Sequence, residues 1–214
     1  NMAKRNASGR FIVAEGLADL FYDALVSQGI WDGIFLDTFC ERIAWTQTAA
    51  ESIDYQRAGY PTVAAFEERI ASLEGGLGAI GTSSGQAAEF LTLASLAGAG
   101  DHLVASAQLY GGTRTLMEVT LARFGVDTTF VANPEPAEIA AAITERTKAV
   151  YVEVIANPSG MIPDFEGLAE VAHAAGVPLV VDSTMATPAL CRPIEHGADI
   201  VLHSVTKFIG GHGT

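Results

Sequence analysis

The stretch VPLVVDSTMATPALCRPIEHGADIVLHS, residues 177–204, holds two short apolar runs, VPLVVD and ADIVLHS. Each is too short for a helix, rich in Val, Leu and Ile, and preceded by a glycine, at Gly176 and Gly197. Such runs read as strands buried on both faces, the kind found in parallel sheets covered by helices. The first stops at Asp182 and the second at Ser204, so polar side chains begin where the strands end.

The same alternation continues outward. PTVAAFEERIASLEGG reads as a helix opened by Pro61, with Val63, Phe66, Ile70 and Leu73 at helical spacing and Gly75-Gly76 stopping it. LGAIGTSSG is a short strand running into a polar turn, and a helix follows over 86–97. Strands are expected at 102–106, 126–131 and 148–155, with helices at 113–124, 136–144 and 165–175. Alternating strands and helices imply an α/β fold: a mostly parallel sheet with helices on both faces and right-handed crossovers. Ligands in such sheets bind beyond the carboxyl ends of the strands. TSSG, Tyr110, Glu153, Asn157, Asp182 and HSVTK all fall at that end.

Composition narrows the function classes. The 214 residues carry a formal charge of −13, which argues against nucleic-acid binding. No apolar run approaches the roughly 18 residues of a membrane span. Early basic residues are followed by Glu15 and Asp19, which interrupt any signal-like core. Cys40 and Cys191 give neither a disulfide framework nor a metal spacing, so a reduced, cytoplasmic setting is the default. His173, His196, His203 and His212 match no metal-ligand pattern and read as helix-surface or loop residues. Cys191 reads as a buried structural thiol.

Lysine is scarce: Lys4, Lys148 and Lys207 only. Lys4 lies near the start and Lys148 at the end of a strand away from the ligand side. Lys207, in HSVTKFIGGHGT (203–214), reads either as a loop lysine or as a Schiff-base lysine whose amine needs a desolvated or cationic setting. Asp182 is either a turn cap or the partner of a protonated heterocycle nitrogen, since a carboxylate ending an apolar strand is costly unless paired. TSSGQAAEF (82–90) is either a plain N-cap at Ser84 or a phosphate site built from backbone N–H groups and the helix dipole. Tyr110, before two glycines, either packs or stacks on a planar ring. Taken together, a phosphate cradle, a stacking ring, a carboxylate for a pyridine nitrogen and a Schiff-base lysine describe pyridoxal 5′-phosphate (PLP).

These words also carry a family resemblance. FEERIASLEGG, SSGQAA, GDHLVAS, LYGGT, ERTKAVYVE, NPSG, AHAAGVPLVVDST and CRPIEHGADIVLHSVTKFIGGHG, within residues 62–214, resemble the PLP-dependent enzymes of Cys/Met metabolism. SSGQAA and YGGT look most like the O-acetylhomoserine sulfhydrylases; methionine γ-lyases usually carry a cysteine where Gly112 stands. The resemblance implies a fold-type-I large domain, a transferase of methionine biosynthesis and transsulfuration, and a homotetrameric dimer of dimers acting on an amino-acid substrate. It implies that Lys207 attaches the cofactor and moves protons, with Tyr110 assisting at the leaving group. It places Ser84, Gly85, Gln86, Ser204 and Thr206 on the phosphate, Asp182 on the pyridine nitrogen, and Asn157 and Thr184 near the ring. The implied reaction is γ-replacement: O-acetyl-L-homoserine plus sulfide or a thiol gives homocysteine or methionine plus acetate. A cystathionine or methionine γ-lyase-type C–S lyase and a non-catalytic fragment are the alternatives.

Two departures from the family pattern shape the domain expectation. Family members continue well beyond the lysine into a small domain that carries the substrate-carboxylate arginine, so 56–214 is expected to be an incomplete large domain that turns over substrate poorly alone. Residues 1–55 are atypical. RFIVAEG and WDGIFLD read as strands ending in Glu15 and Asp37 around the helical ADLFYDALVSQG: a fusion, or a βαβ piece like that of a glycoside-hydrolase barrel. DYQRAGYPT keeps the family's Tyr-x-Arg spacing through Tyr55 and Arg57, which in relatives reach the phosphate of a neighbouring subunit.

Overall fold

The computed structural model describes residues 33–37 and 61–211, the former stretch and residues 61–62 as backbone alone. Seven strands form one sheet: β1 Gly33–Asp37, β2 Gly78–Thr82, β3 His102–Ser106, β4 Asp127–Val131, β5 Thr147–Glu153, β6 Leu179–Asp182 and β7 Ile200–His203. Their order is β2-β1-β7-β6-β5-β3-β4, and every neighbouring pair is parallel. The helices are α1 Pro61–Glu74, α2 Gly85–Leu96, α3 from Gly111, α4 Pro136–Ala142, α5 Phe165–Ala174 and α6 Thr187–Leu190, with a 3₁₀ turn over Pro193–His196.

The strands alternate between two cores, which places helices on both faces. Leu103, Ala105, Ala149, Tyr151, Val180, Ile200 and Leu202 pack with α2 and α3, through Ala88, Leu93, Leu116 and Leu121. Val104, Val150, Val152, Leu179, Val181 and Val201 pack on the opposite face with Ile70 of α1, Ile139 of α4 and Leu168 of α5. Each wholly buried aliphatic side chain contributes roughly 1.5–3 kcal/mol relative to exposure. Truncating one such as Leu103 to Ala costs about 2–5 kcal/mol.

Helix limits follow local chemistry. Pro61 opens α1, and Gly75 at φ +77 follows its last residue, a left-handed conformation that glycine adopts without penalty. Ser84 caps α2, its Oγ accepting from Ala87 N at 3.0 Å. The helix expected at 113–124 begins earlier, at Gly111, and widens into a π-helical turn over Leu116–Leu121. The widened turn keeps Leu116, Met117 and Leu121 all buried in the α2/α3 core. The other strands and helices agree with expectation to within a few residues.

One placement was not foreseen. Of WDGIFLD, the described part GIFLD does form a strand, but this β1 lies between β2 and β7 of the main sheet, with Asp37 in register with Thr82 and Leu36 with His203. RFIVAEG with Glu15, the helix after it, Tyr55, Arg57 and His212 lie outside the described residues.

Candidate cofactor site

The chain reverses direction across the sheet between β3 and β5, which is where a crevice opens at the carboxyl ends of parallel strands. The loops after β3 and β5 meet there through one side chain. Glu153, the last residue of β5, accepts the backbone N–H of Tyr110 at 2.5 Å and of Asn157 at 2.9 Å. Tyr110, half exposed at 51%, lies over Gly112: a Cβ at Gly112 would stand 2.5 Å from the Tyr110 ring. A glycine is therefore what lets the ring lie there.

On the other side of the crevice, the start of α2 meets the loop after β7. The N–H groups of Gly85 and Gln86 fall in the first turn, where a helix has no internal acceptors for them. A Cβ on Gly85 would come within 2.8 Å of Ser204 Cβ, so close approach of the two loops requires glycine. The Ser204 and Thr206 hydroxyls are 3.3 Å apart. Ser204 N donates to Thr184 Oγ1 at 2.8 Å, and Thr184 N donates to Asp182 Oδ1 at 2.8 Å. A polar chain thus runs from the helix start to the carboxylate that ends β6.

All ten described residues singled out from the sequence line one cavity of about 340 Å³. Ser84, Gly85, Gln86, Ser204 and Thr206 form one end; Tyr110, Asn157, Asp182, Thr184 and Lys207 complete it. Lys207 lies on the turn after β7, its N–H donating to Ser204 O at 3.0 Å. It is solvent-exposed, as a loop lysine would be, because the turn carries it away from the buried end of the strand; the desolvated setting is not present here. Lys148, as anticipated, is at the opposite end of the sheet, 3.6 Å from Asp101.

The cavity floor is crowded with acid. Burial pushes the Glu89 carboxyl up to about 8, reinforced by Asp182. Burial also pushes Glu153 up to about 7, against the two N–H groups that hold it. Asp182 is raised by burial too, while Thr184, His203 and Glu89 pull it back toward the anion. Glu89 was not singled out from the sequence, where it is one more acid near a helix start. His203 also differs from its expected loop setting. It is 1% exposed at the end of β7, with its Nε2 2.5 Å from Oε1 of the fully buried Glu74. His173 and His196 do sit at the surface, beside Asp199 and Glu166, and no described His, Cys, Asp or Glu cluster could hold a metal. Cys191 is half-buried rather than buried.

Comparison with known proteins agrees with this geometry. The sequence is 58% identical over 161 residues to the sulfhydrylase FUB7 of Fusarium oxysporum f. sp. lycopersici, covering 75% of this chain and 37% of the relative. It is 58% identical to the homocysteine synthase of Schizosaccharomyces pombe, over 75% of this chain and 38% of that protein. It is 53% identical to the O-acetyl-L-homoserine sulfhydrylase of Corynebacterium glutamicum, over 75% and 37%. The chain therefore spans well under half the length of these relatives. Among solved structures, the O-acetylhomoserine sulfhydrylase of Wolinella succinogenes superposes with a TM-score of 0.63 at 38% identity, over 67% of this chain and 42% of that one. Cystathionine γ-lyase of Lactobacillus plantarum superposes with a TM-score of 0.70 at 38% identity, over 82% and 45%. Residues 35–214 match the family model of the Cys/Met metabolism PLP-dependent enzymes, and the chain belongs to that family.

Proposed function

We propose that the protein is a PLP-dependent transferase that exchanges the γ-acetate of O-acetyl-L-homoserine for sulfide or a thiol, releasing homocysteine or methionine and acetate. The observation that carries this reading is the convergence of the ten residues on one cavity. The donor set suits the cofactor. The Gly85 approach and the first-turn N–H groups of α2 suit a phosphate dianion. A cavity floor bearing Asp182, Glu89 and Glu153 suits a protonated ring nitrogen, whose positive charge relieves the crowding of acids.

When bound, PLP supplies the electron sink for removing protons from the substrate's α and β carbons and for loss of the γ-substituent. The chain's own groups do the rest. Lys207 Nζ is the attachment point and moves protons at the α and β carbons. Ser84, Gly85, Gln86, Ser204 and Thr206 hold the phosphate. Asp182 holds the ring nitrogen's proton, with Thr184 fixing the carboxylate through its N–H. Tyr110 covers the ring face and assists departure of acetate, and Asn157 lies near the ring. Tyr55 and Arg57 extend to the phosphate of a neighbouring subunit in a dimer of dimers. Residues 56–214, together with the strand Gly33–Asp37 that pairs within their sheet, form the cofactor-binding large domain of a cytoplasmic enzyme. Among the described residues no helix is long and apolar enough to cross a membrane.

A C–S lyase is the second reading, favoured by the superposition on the cystathionine γ-lyase. Full-length protein given O-acetylhomoserine and sulfide is expected to release homocysteine and acetate faster than it releases 2-oxobutyrate and ammonia from cystathionine or methionine. The reverse order would replace the transferase by the lyase.

A further inference from the structure

Tyr110, the residue proposed to cover the cofactor ring, stands just before α3, and its side chain makes no capping hydrogen bond. Ser, Thr, Asp or Asn at that position would have supplied one. The start of α3 therefore needs an anchor from outside the helix. The loop after β5 poses a similar problem. Ala156 N donates to Met161 O at 2.9 Å and Gly160 N to Ala156 O at 2.7 Å, which closes the loop on itself without using Asn157 N.

One side chain meets both needs. Glu153, 5% exposed, accepts the Tyr110 N–H on Oε1 at 2.5 Å and the Asn157 N–H on Oε2 at 2.9 Å. Each oxygen holds one loop, and the first bond spans 43 residues of sequence. A carboxylate buried at a strand end is costly unless donors meet it, and here both donors are backbone. Glu153 is itself fixed. It ends β5 in register with Asp182 at the end of β6, and the next residue, Val154, donates its N–H to Asp182 O at 2.9 Å. The Tyr110 ring is half exposed and lies over Gly112, so its place is set largely by where its backbone is held.

We propose that Glu153 is a positioning residue: its two oxygens clamp the backbones of Tyr110 and Asn157, and so hold the Tyr110 ring over the cavity in step with Asp182. The strand ends that place the carboxylate for the ring nitrogen thus also place the tyrosine for the ring face. This rests on the reading of Tyr110 as the residue that covers PLP, and not on which group is exchanged at the substrate.

The clamp is tested first without cofactor. Hydrogen–deuterium exchange at the Tyr110 and Asn157 amides is followed at pH 8, where Glu153, with a pKa of about 7, is mostly the carboxylate. Wild type is expected to protect both. Glu153→Gln keeps one acceptor for two donors, so at least one of the two amides is expected to exchange about 10–100-fold faster, the range of a hydrogen bond to a charged group. Equal protection in variant and wild type overturns the proposal. So do amides that exchange freely in wild type, a result that needs no variant to fold. The positioning role is tested second, by equilibrium PLP titrations of wild type, Glu153→Gln, Tyr110→Ala and the double variant. Glu153→Gln is expected to weaken binding about 2–10-fold, the worth of a well-placed ring contact. Once Tyr110 is Ala, it is expected to change nothing further. An equal effect in both backgrounds, including none, means that Glu153 does not act through Tyr110 and overturns the proposal. A protein that protects both amides but transfers no sulfide loses the transferase reading and keeps the clamp. One that transfers sulfide with both amides unprotected keeps the transferase reading and loses the clamp.

Discussion

The two ends of the parallel sheet are built from the same kinds of residue and treat charge in opposite ways. At the amino end, described charges meet opposite charges close to water. Arg146 pairs with Asp127 at 3.0 Å, Lys148 lies 3.6 Å from Asp101, and His102 sits between the hydroxyls of Thr147 and Thr129 at 2.8 Å each. Burial keeps that histidine low in pKa, and two hydroxyls satisfy it without a charge. At the carboxyl end, Glu89, Glu153 and Asp182 are drawn together under an open cavity, and their pKa values rise. His203 there is closed off against a buried glutamate. Crowding buried acids lowers stability, so a fold retains it where a ligand will use it. The comparison separates structural charge from charge kept for a cofactor.

The largest effect is expected where that burial is deepest. His203→Ala strands Glu74 in the core, and breaking a buried pair by removing one member costs about 3–5 kcal/mol. Urea unfolding of variant and wild type measures this; a loss under about 1 kcal/mol would show that the pair is not desolvated as the geometry implies. Asp182→Asn removes the charged group proposed as the partner of the ring nitrogen. Weakening of PLP binding by about 10–100-fold is expected in equilibrium titrations of the full-length protein, the range of a hydrogen bond to a charged group.

Glu153 sharpens the comparison through pH. Its folded pKa, about 7, stands above the value of 4.5 in the unfolded chain, so its neutral form stabilises the fold at low pH. That contribution is lost as pH rises from about 4.5 through about 7. Urea midpoints of Glu153→Gln should therefore fall less steeply than wild type across that window. A parallel pair of curves would mean that the two N–H donors keep Glu153 ionised throughout. The smallest effect belongs to the amino end: Arg146→Ala breaks an exposed pair worth about 0–1 kcal/mol, and its midpoint should barely move.

Much of this architecture is legible in the chain because burial on both faces writes itself as continuous apolar runs. VPLVVD, KAVYVEVI and ADIVLHS could be read as covered strands, and the polar residues at their ends as one site. Ser84, Asp182 and Lys207 were legible because each interrupts an apolar or glycine-rich context, whereas Thr184, and the placing of Asn157 near the ring, came only through the family resemblance. Glu89 was not, since its partners Tyr151 and Thr113 lie 62 and 24 residues away. The pairing of His203 with Glu74 spans 129 residues, and nothing local marks either as buried. The insertion of β1 between β2 and β7 was equally hidden: periodicity identifies a strand but not its neighbours. The π-helical turn in α3 has no local signature either, being set by how Leu116, Met117 and Leu121 fit the sheet.

The central claim is that the carboxyl edge is a PLP site organised on Lys207. The direct measurement is borohydride reduction of the protein after incubation with PLP, followed by peptide mass mapping. The account predicts a pyridoxyl mass on Lys207 and none on Lys4 or Lys148, lost in Lys207→Ala. A label distributed over the three lysines, or one that persists in Lys207→Ala, would contradict it.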